Sequence, residues 1–172
     1  MMIIFRAPSD LWETVRRDLE RPHPFAAERV GFLVCRAAKL AGEGLAILAT
    51  AFDSVADEDY LDDPSVGAMM GPTAIRKALQ RAYNNGAEDL SIFHVHMHEH
   101  RGLPGFSPID VRENKKFVPD FFNVAPVMPH GAIVLSRNQA AGLCWYAQHA
   151  VPVPIDRFAS VGAPLRMWGR KA

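Results

Sequence analysis

The chain has 172 residues, 49% of them apolar, with zero formal net charge and a pI near 7.1. That is enough apolar material for one core, and no global charge pulls the chain toward nucleic acid or a membrane surface. No run approaches the ~18 apolar residues of a membrane-spanning helix, and Met1-Met2-Ile3-Ile4-Phe5-Arg6 meets a charge before a signal-peptide core can form.

Residues 2–6 read as a strand that Pro8 stops. Ser9 is a good helix N-cap, with Asp10 and Glu13 in the first turn, where the dipole favours negative charge. Leu11, Trp12, Val15 and Leu19 give that helix an apolar stripe, and Pro22 and Pro24 end it. Residues 26–35 lead into a buried strand with Glu28 at its lip, and a second strand follows at 44–51. From Asp53 to Asp63 the chain is acidic and reads as a solvated loop; the functional alternative is a docking surface for a basic partner or a mobile flap. Gly71-Pro72-Thr73 opens a helix with Ile75, Ala78, Leu79, Ala82 and Tyr83 on its apolar face, closed by Gly86.

A strand from Leu90 to His98 comes next, then a helix-like segment at 111–117 and an interrupted apolar stretch at 118–124. Residues 132–136 and 141–148 read as a hairpin turning at 137–140, and the tail from Val151 carries Pro152, Pro154 and Pro164 and ends basic. Cys35 and Cys144 both fall in strand-like runs and are expected to be buried, reduced thiols of a cytosolic protein. Without repeats or low-complexity linkers, the mixed order of strands and helices predicts a single α/β domain over 1–172.

The chemistry concentrates in one stretch. His94, His96, His98 and His100 stand at every second position, so on a strand they project from one face. A bland reading is an edge strand with solvated histidines, but repeated alternation points to a metal site, with Asp110 returning from the loop as an oxygen ligand. Ser107-Pro108-Ile109-Asp110 also makes a good helix start, with Ser at N-cap, Pro at N1 and Asp at N3. The two readings are compatible, since a helix start there would aim Asp110 rigidly. Glu28 alone is an ordinary exposed charge; beside a metal it is a candidate base.

Together these pieces resemble the JAB1/MPN/Mov34 (JAMM) zinc metalloproteases: a glutamate on the first core strand, a later His-x-His, then Ser-x-x-Asp. Glu28-Arg29-Val30-Gly31-Phe32-Leu33 is similar to the family's Glu-x-x-Gly-x-Leu strand, and His96-Met97-His98 precedes Ser107-x-x-Asp110 by eight intervening residues. The frame 94/96 leaves ten residues and the frame 98/100 leaves six, so spacing favours 96/98, with His94 the alternative ligand. The chain departs from the family at Glu99, where a proline is usual, and at Cys35, where a glycine is often found. The resemblance covers roughly residues 5 to 148 and is greatest to the bacterial Prok-JAB branch, which is associated with ubiquitin-like conjugation systems.

That resemblance implies a curved mixed sheet flanked by helices, with cytidine-deaminase-like layering. It implies one Zn2+ per chain held by His96, His98, Asp110 and a water, Glu28 as the base, and Ser107 as a donor to the oxyanion. The implied activity is an isopeptidase or peptidase cleaving after the C-terminus of a ubiquitin-like protein, by deconjugation or precursor processing. Its partners would be that protein or its conjugates and E1- and E2-like enzymes, with no nucleic acid or membrane, and anti-phage defence is a setting the branch suggests. The alternative within the family is an inactive MPN scaffold. Barrel-type HxH metallohydrolases need more chain than this, a zinc deaminase needs a Pro-Cys-x-x-Cys that is missing, and a cysteine peptidase would rest on Cys35 or Cys144.

Overall fold

The computed structural model describes residues 1–24, 26–63, 67–84, 89–162 and 165–169. Its elements in chain order are β1 (Ile3–Pro8), α1 (Ser9–Leu19), β2 (Val30–Leu40), β3 (Gly44–Ser54), β4 (Tyr60–Leu61), β5 (Met69–Met70), α2 (Pro72–Asn84) and β6 (Ser91–Met97). They continue with α3 (Pro108–Phe121), β7 (His130–Leu135), β8 (Ala140–Trp145), β9 (Val153–Pro154), β10 (Arg157–Val161) and β11 (Arg166–Gly169). Nine strands form one mixed sheet in the order β11-β10-β1-β3-β2-β6-β7-β8-β9, and β4 and β5 pair separately. The α/β expectation holds, and no described helix is long and apolar enough to cross a membrane.

Helices cover both faces of the sheet. On one, α1 buries Trp12, Val15 and Leu19 against Phe5, Phe93, Val95 and Phe158. On the other, Ala78 and Ala82 of α2 and Phe117, Val118 and Phe121 of α3 pack over Phe32, Ile92 and Ala132. The central strand β6 is wholly buried, lying antiparallel to β2 and parallel to β7 across the α3 connection. Its odd residues face the α1 cluster, so its histidines face α2 and α3. Cys35 and Cys144 are buried and reduced, and burial pushes the Cys144 thiol up to about 12.

Several expectations need correction. Pro8, not Ser9, is the N-cap residue of α1, and the Ser9 hydroxyl instead meets Ser160 Oγ and the Val161 carbonyl. The acidic segment is not simply solvated: Asp59 is buried against Lys77, Asp57 pairs with Arg29, and Asp53 pairs with Arg81. Tyr83 is 67% exposed, because α2 turns its small alanines to the sheet instead. Gly86 lies outside the described residues. The helix after Asp110 runs through Pro119 to Phe121, since Val118 and Phe121 are both fully buried and their packing outweighs one lost hydrogen bond. The tail, marked in the sequence only by its prolines and basic end, adds strands to the sheet: β10 docks parallel to β1, and β11 extends the edge.

His130, unmarked in the sequence, is fully buried at the start of β7. Its Nδ1 accepts from the Ile92 N–H at 3.0 Å, so its Nε2 donates to the Ala125 carbonyl at 2.9 Å, and the ring is neutral. Burial holds its pKa down at about 4. In the unfolded chain the imidazole protonates from pH 6.5 downward, whereas in the fold it resists until near pH 4. The stability this group contributes is therefore complete above pH 6.5 and is lost on acidification, by roughly 1.4 kcal/mol per pH unit across that window. We expect His130→Gln to be less stable at pH 7, yet to lose less stability than wild type between pH 7 and 5 in urea melts. Equal losses would show that His130 does not govern this acid sensitivity.

Candidate metal centre

The register of two strands assembles the site. In the β2–β6 ladder Val30 faces His96 and Phe32 faces His94. Extending that pairing two residues past the end of β2 sets Glu28 opposite His98, on the same face of the sheet. Glu28 therefore lies just outside the strand rather than on it, and His98 just beyond β6, where its N–H still bonds the Leu135 carbonyl. The His98 Nε2 is 3.9 Å from Glu28 Oε1, and ligand atoms of Glu28, His96 and His98 all lie within 4.8 Å of one another.

Glu28 is held from both sides. The neighbouring Arg29 is buried and donates to the carbonyls of Arg21 and Pro22 and to Asp57. The Tyr60 hydroxyl accepts from the Val30 N–H at 2.8 Å. Across the cleft the Glu28 N–H bonds the Gly67 carbonyl at 2.9 Å. A Cβ at Gly67 would sit 2.9 Å from the Glu28 carboxyl carbon, so a larger residue there would push that carboxylate from its present position.

Asp110 arrives from the third segment. Ser107 caps α3 by accepting from the Asp110 N–H at 3.1 Å, and Asp110 Oδ2 accepts from the Ser107 N–H at 2.7 Å, completing a capping box. The same Oδ2 lies 3.5 Å from His96 Nε2 and 3.8 Å from His98 Nε2. Partial burial opposes its ionisation, but His96 and the Ser107 donors outweigh it and hold the carboxyl well below the usual carboxylate range. The helix-start and metal-site readings of this segment thus coexist in one side chain. The intervening loop is tied to the β7–β8 turn: Arg137 N–H bonds the His100 carbonyl, Gly102 N–H bonds Asn138 Oδ1, and Ser136 Oγ donates to the Gly102 carbonyl.

Glu28, Gly67, His96, His98, Ser107 and Asp110 border one cleft of about 180 Å³, with Met69 and Met70 of β5 on its rim. His94 forms its floor. It is 6% exposed, neither ring nitrogen has a hydrogen bond of ordinary geometry, and its ring packs edge-on against Phe117. Burial, aided by the nearby His96, pushes its pKa down to about 3. His100 is exposed and turned to the Arg101 carbonyl. Asn114, which the sequence reading passed over, is buried beside this floor with an unpartnered Nδ2; its α3 spacing from Asp110, one turn on, was the available signal.

A metal fits these residues. The buried His96 has no hydrogen bond at Nδ1, and its Nε2 meets Asp110 Oδ2 only at a long 3.5 Å, which is costly unless something else satisfies them. Ligands about 2.0–2.1 Å from a tetrahedral ion lie roughly 3.3 Å apart, close to the Asp110–histidine separations. Imidazole with carboxylate suits a divalent transition metal.

The chain matches no protein-family model and no curated protein. Among solved structures it is similar to the Trichoplax adhaerens STIL N-terminal domain, at 11% identity and a TM-score of 0.36, over 80% of this chain and 40% of that one. The chain thus spans less than half of that structure, and a likeness this distant carries no argument about fold or function.

Two outcomes follow. By elemental analysis, His96→Ala and His98→Ala should lose most bound metal while His94→Phe keeps it; retention in His98→Ala would move the site to the 94/96 frame. Asp110→Ala should lose metal and, in chelator, also lose about 1 kcal/mol of stability in urea melts, because the Ser107 N–H to Asp110 carboxylate half of the capping box goes with the ligand. Unchanged metal-free stability would remove the capping role.

Proposed function

We propose that this protein is a zinc-dependent isopeptidase or peptidase of the JAMM type, folded as an MPN domain and acting after the C-terminus of a ubiquitin-like protein. The observation that carries the reading is the convergence of Glu28, His96, His98 and Asp110, with Ser107 beside them, on one cleft. Three segments distant in sequence supply these groups in the order and spacing of the family's motif.

His96, His98 and Asp110 would hold the zinc, leaving Glu28 free of ligation. When bound, the ion supplies Lewis-acid polarisation of a carbonyl and lowers the pKa of water toward neutrality. Glu28 accepts a proton from the attacking water and returns it to the leaving amine nitrogen, so the amide and one water become a carboxylic acid and an amine. The Ser107 Oγ lone pair is taken up by the Asp110 N–H, which leaves its O–H to donate to the oxyanion that develops on the carbonyl. The short β5 is paired on one side only among the described residues, and its free edge beside the cleft suits an extended peptide tail added as a strand.

Purified protein should carry about one zinc per chain and cleave a ubiquitin-like C-terminal fusion or lysine conjugate in a chelator-sensitive, thiol-reagent-insensitive way. Glu28→Gln should retain zinc while turnover falls by about 10²-fold or more, the scale of a lost general base. Full activity in Glu28→Gln, or activity that survives metal removal, would overturn the assignment.

A further inference from the structure

At the opposite side of α1 from the cleft floor, a separate cavity of about 290 Å³ opens between α1, β10, β11 and the β7–β8 turn. Its volume corresponds to about ten liquid waters. Three arginines from three elements line it: Arg16 of α1, Arg137 of the turn and Arg166 of β11. Among the described residues none of the three has a carboxylate within 4.0 Å of its guanidinium, and Glu13 is the one acid on the wall. Arg16 is half-buried: one Nη donates to the Ser136 carbonyl, burial depresses its pKa, and Glu20, which partly offsets this, is not in contact. A half-buried guanidinium without a counter-ion is unfavourable unless an anion completes it.

One neutral donor faces the same space. The Trp168 indole Nε1 on its wall is without an acceptor, whereas the Ser9 and Ser160 hydroxyls there direct their protons to the Val161 carbonyl and to each other. A carboxylate has two oxygens and cannot use three guanidinium forks and an indole N–H together. A tetrahedral phosphate offers more acceptor atoms spread in three dimensions, the geometry that clustered arginines suit.

We propose that this cavity is a binding site for a small phosphate monoester, held by Arg16, Arg137 and Arg166 with the Trp168 indole as a neutral donor. The site is independent of the metal centre and of the activity proposed for it. The chain's zero net charge favours a free small molecule over a polyanion.

The test follows the three tryptophan indole N–H signals by NMR, titrating the full chain with inorganic phosphate, glycerol phosphate and acetate at matched ionic strength. The expected result is saturable movement of the Trp168 signal with both phosphates and not with acetate. Affinity should fall about tenfold in Arg16→Gln and in the double variant Arg137→Gln/Arg166→Gln, whose exposed positions spare the fold. Absence of saturation, an acetate response equal to phosphate, or affinity unchanged in the double variant would overturn the site. So would tighter binding of a short single-stranded oligonucleotide than of either phosphate.

Discussion

The register between β2 and β6 is the constraint on which the metal centre depends. Each residue of β2 from Val30 to Cys35 faces one of β6 from His96 to Ser91, without a bulge between them. Side chains alternate along a strand, so a slip of one residue would turn the histidines into the α1 cluster and bring Phe93, Val95 and Met97 to the cleft. The register is protected by the bulk on both faces. Phe93 packs edge-on against Phe5 on one side, and Phe32 lies near Phe121 on the other. Glu28 meets His98 because this ladder, read two residues further, leaves no other place for it.

The two faces of the sheet divide the work of the molecule. The α1 face is apolar and densely aromatic, and its buried thiols are inert there. The α2/α3 face carries the orphaned polar atoms that border the cleft, the nitrogens of His94 and His96 and the amide of Asn114, while Tyr146 Oη and Trp168 Nε1 are orphaned beside the α1 cluster. Such groups cost stability where nothing satisfies them, and they collect at sites where a ligand or ion can do so. The cost is borne locally by the aromatic rings of Phe32 and Phe117 around His94 and by the charge-assisted capping box around Asp110.

What could be read from the chain was local. The alternation of histidines, the Ser107 capping box and the β7–β8 hairpin all rest on short-range periodicity or on side chains three residues apart, and they stand. What escaped was non-local. Nothing near Arg157 announces that β10 will pair with β1, some 150 residues away, and the prolines around it argue for loose chain. The acidic run looked solvated because its partners, Arg29, Lys77 and Arg81, come from elsewhere in the sequence. Pro119 looked like a stop because local propensity does not register the burial of Val118 and Phe121 around it. Ser9 lost its capping role to a tertiary hydrogen bond with Ser160. At the site, Gly67 and Asn114 matter through what they touch, which no pattern in one sequence reports.

The hydrogen bonds between the 98–107 loop and the β7–β8 turn change how that loop behaves in time. Rich in glycine and proline, it looks like a segment free to fluctuate on its own. Because His100 and Gly102 are fastened to Ser136, Arg137 and Asn138, it opens only when the hairpin turn opens too. The two form one cooperative unit, whose backbone amides exchange with solvent together and more slowly than the loop's composition suggests. The span joining the histidine strand to α3 is, in kinetic terms, part of the hairpin.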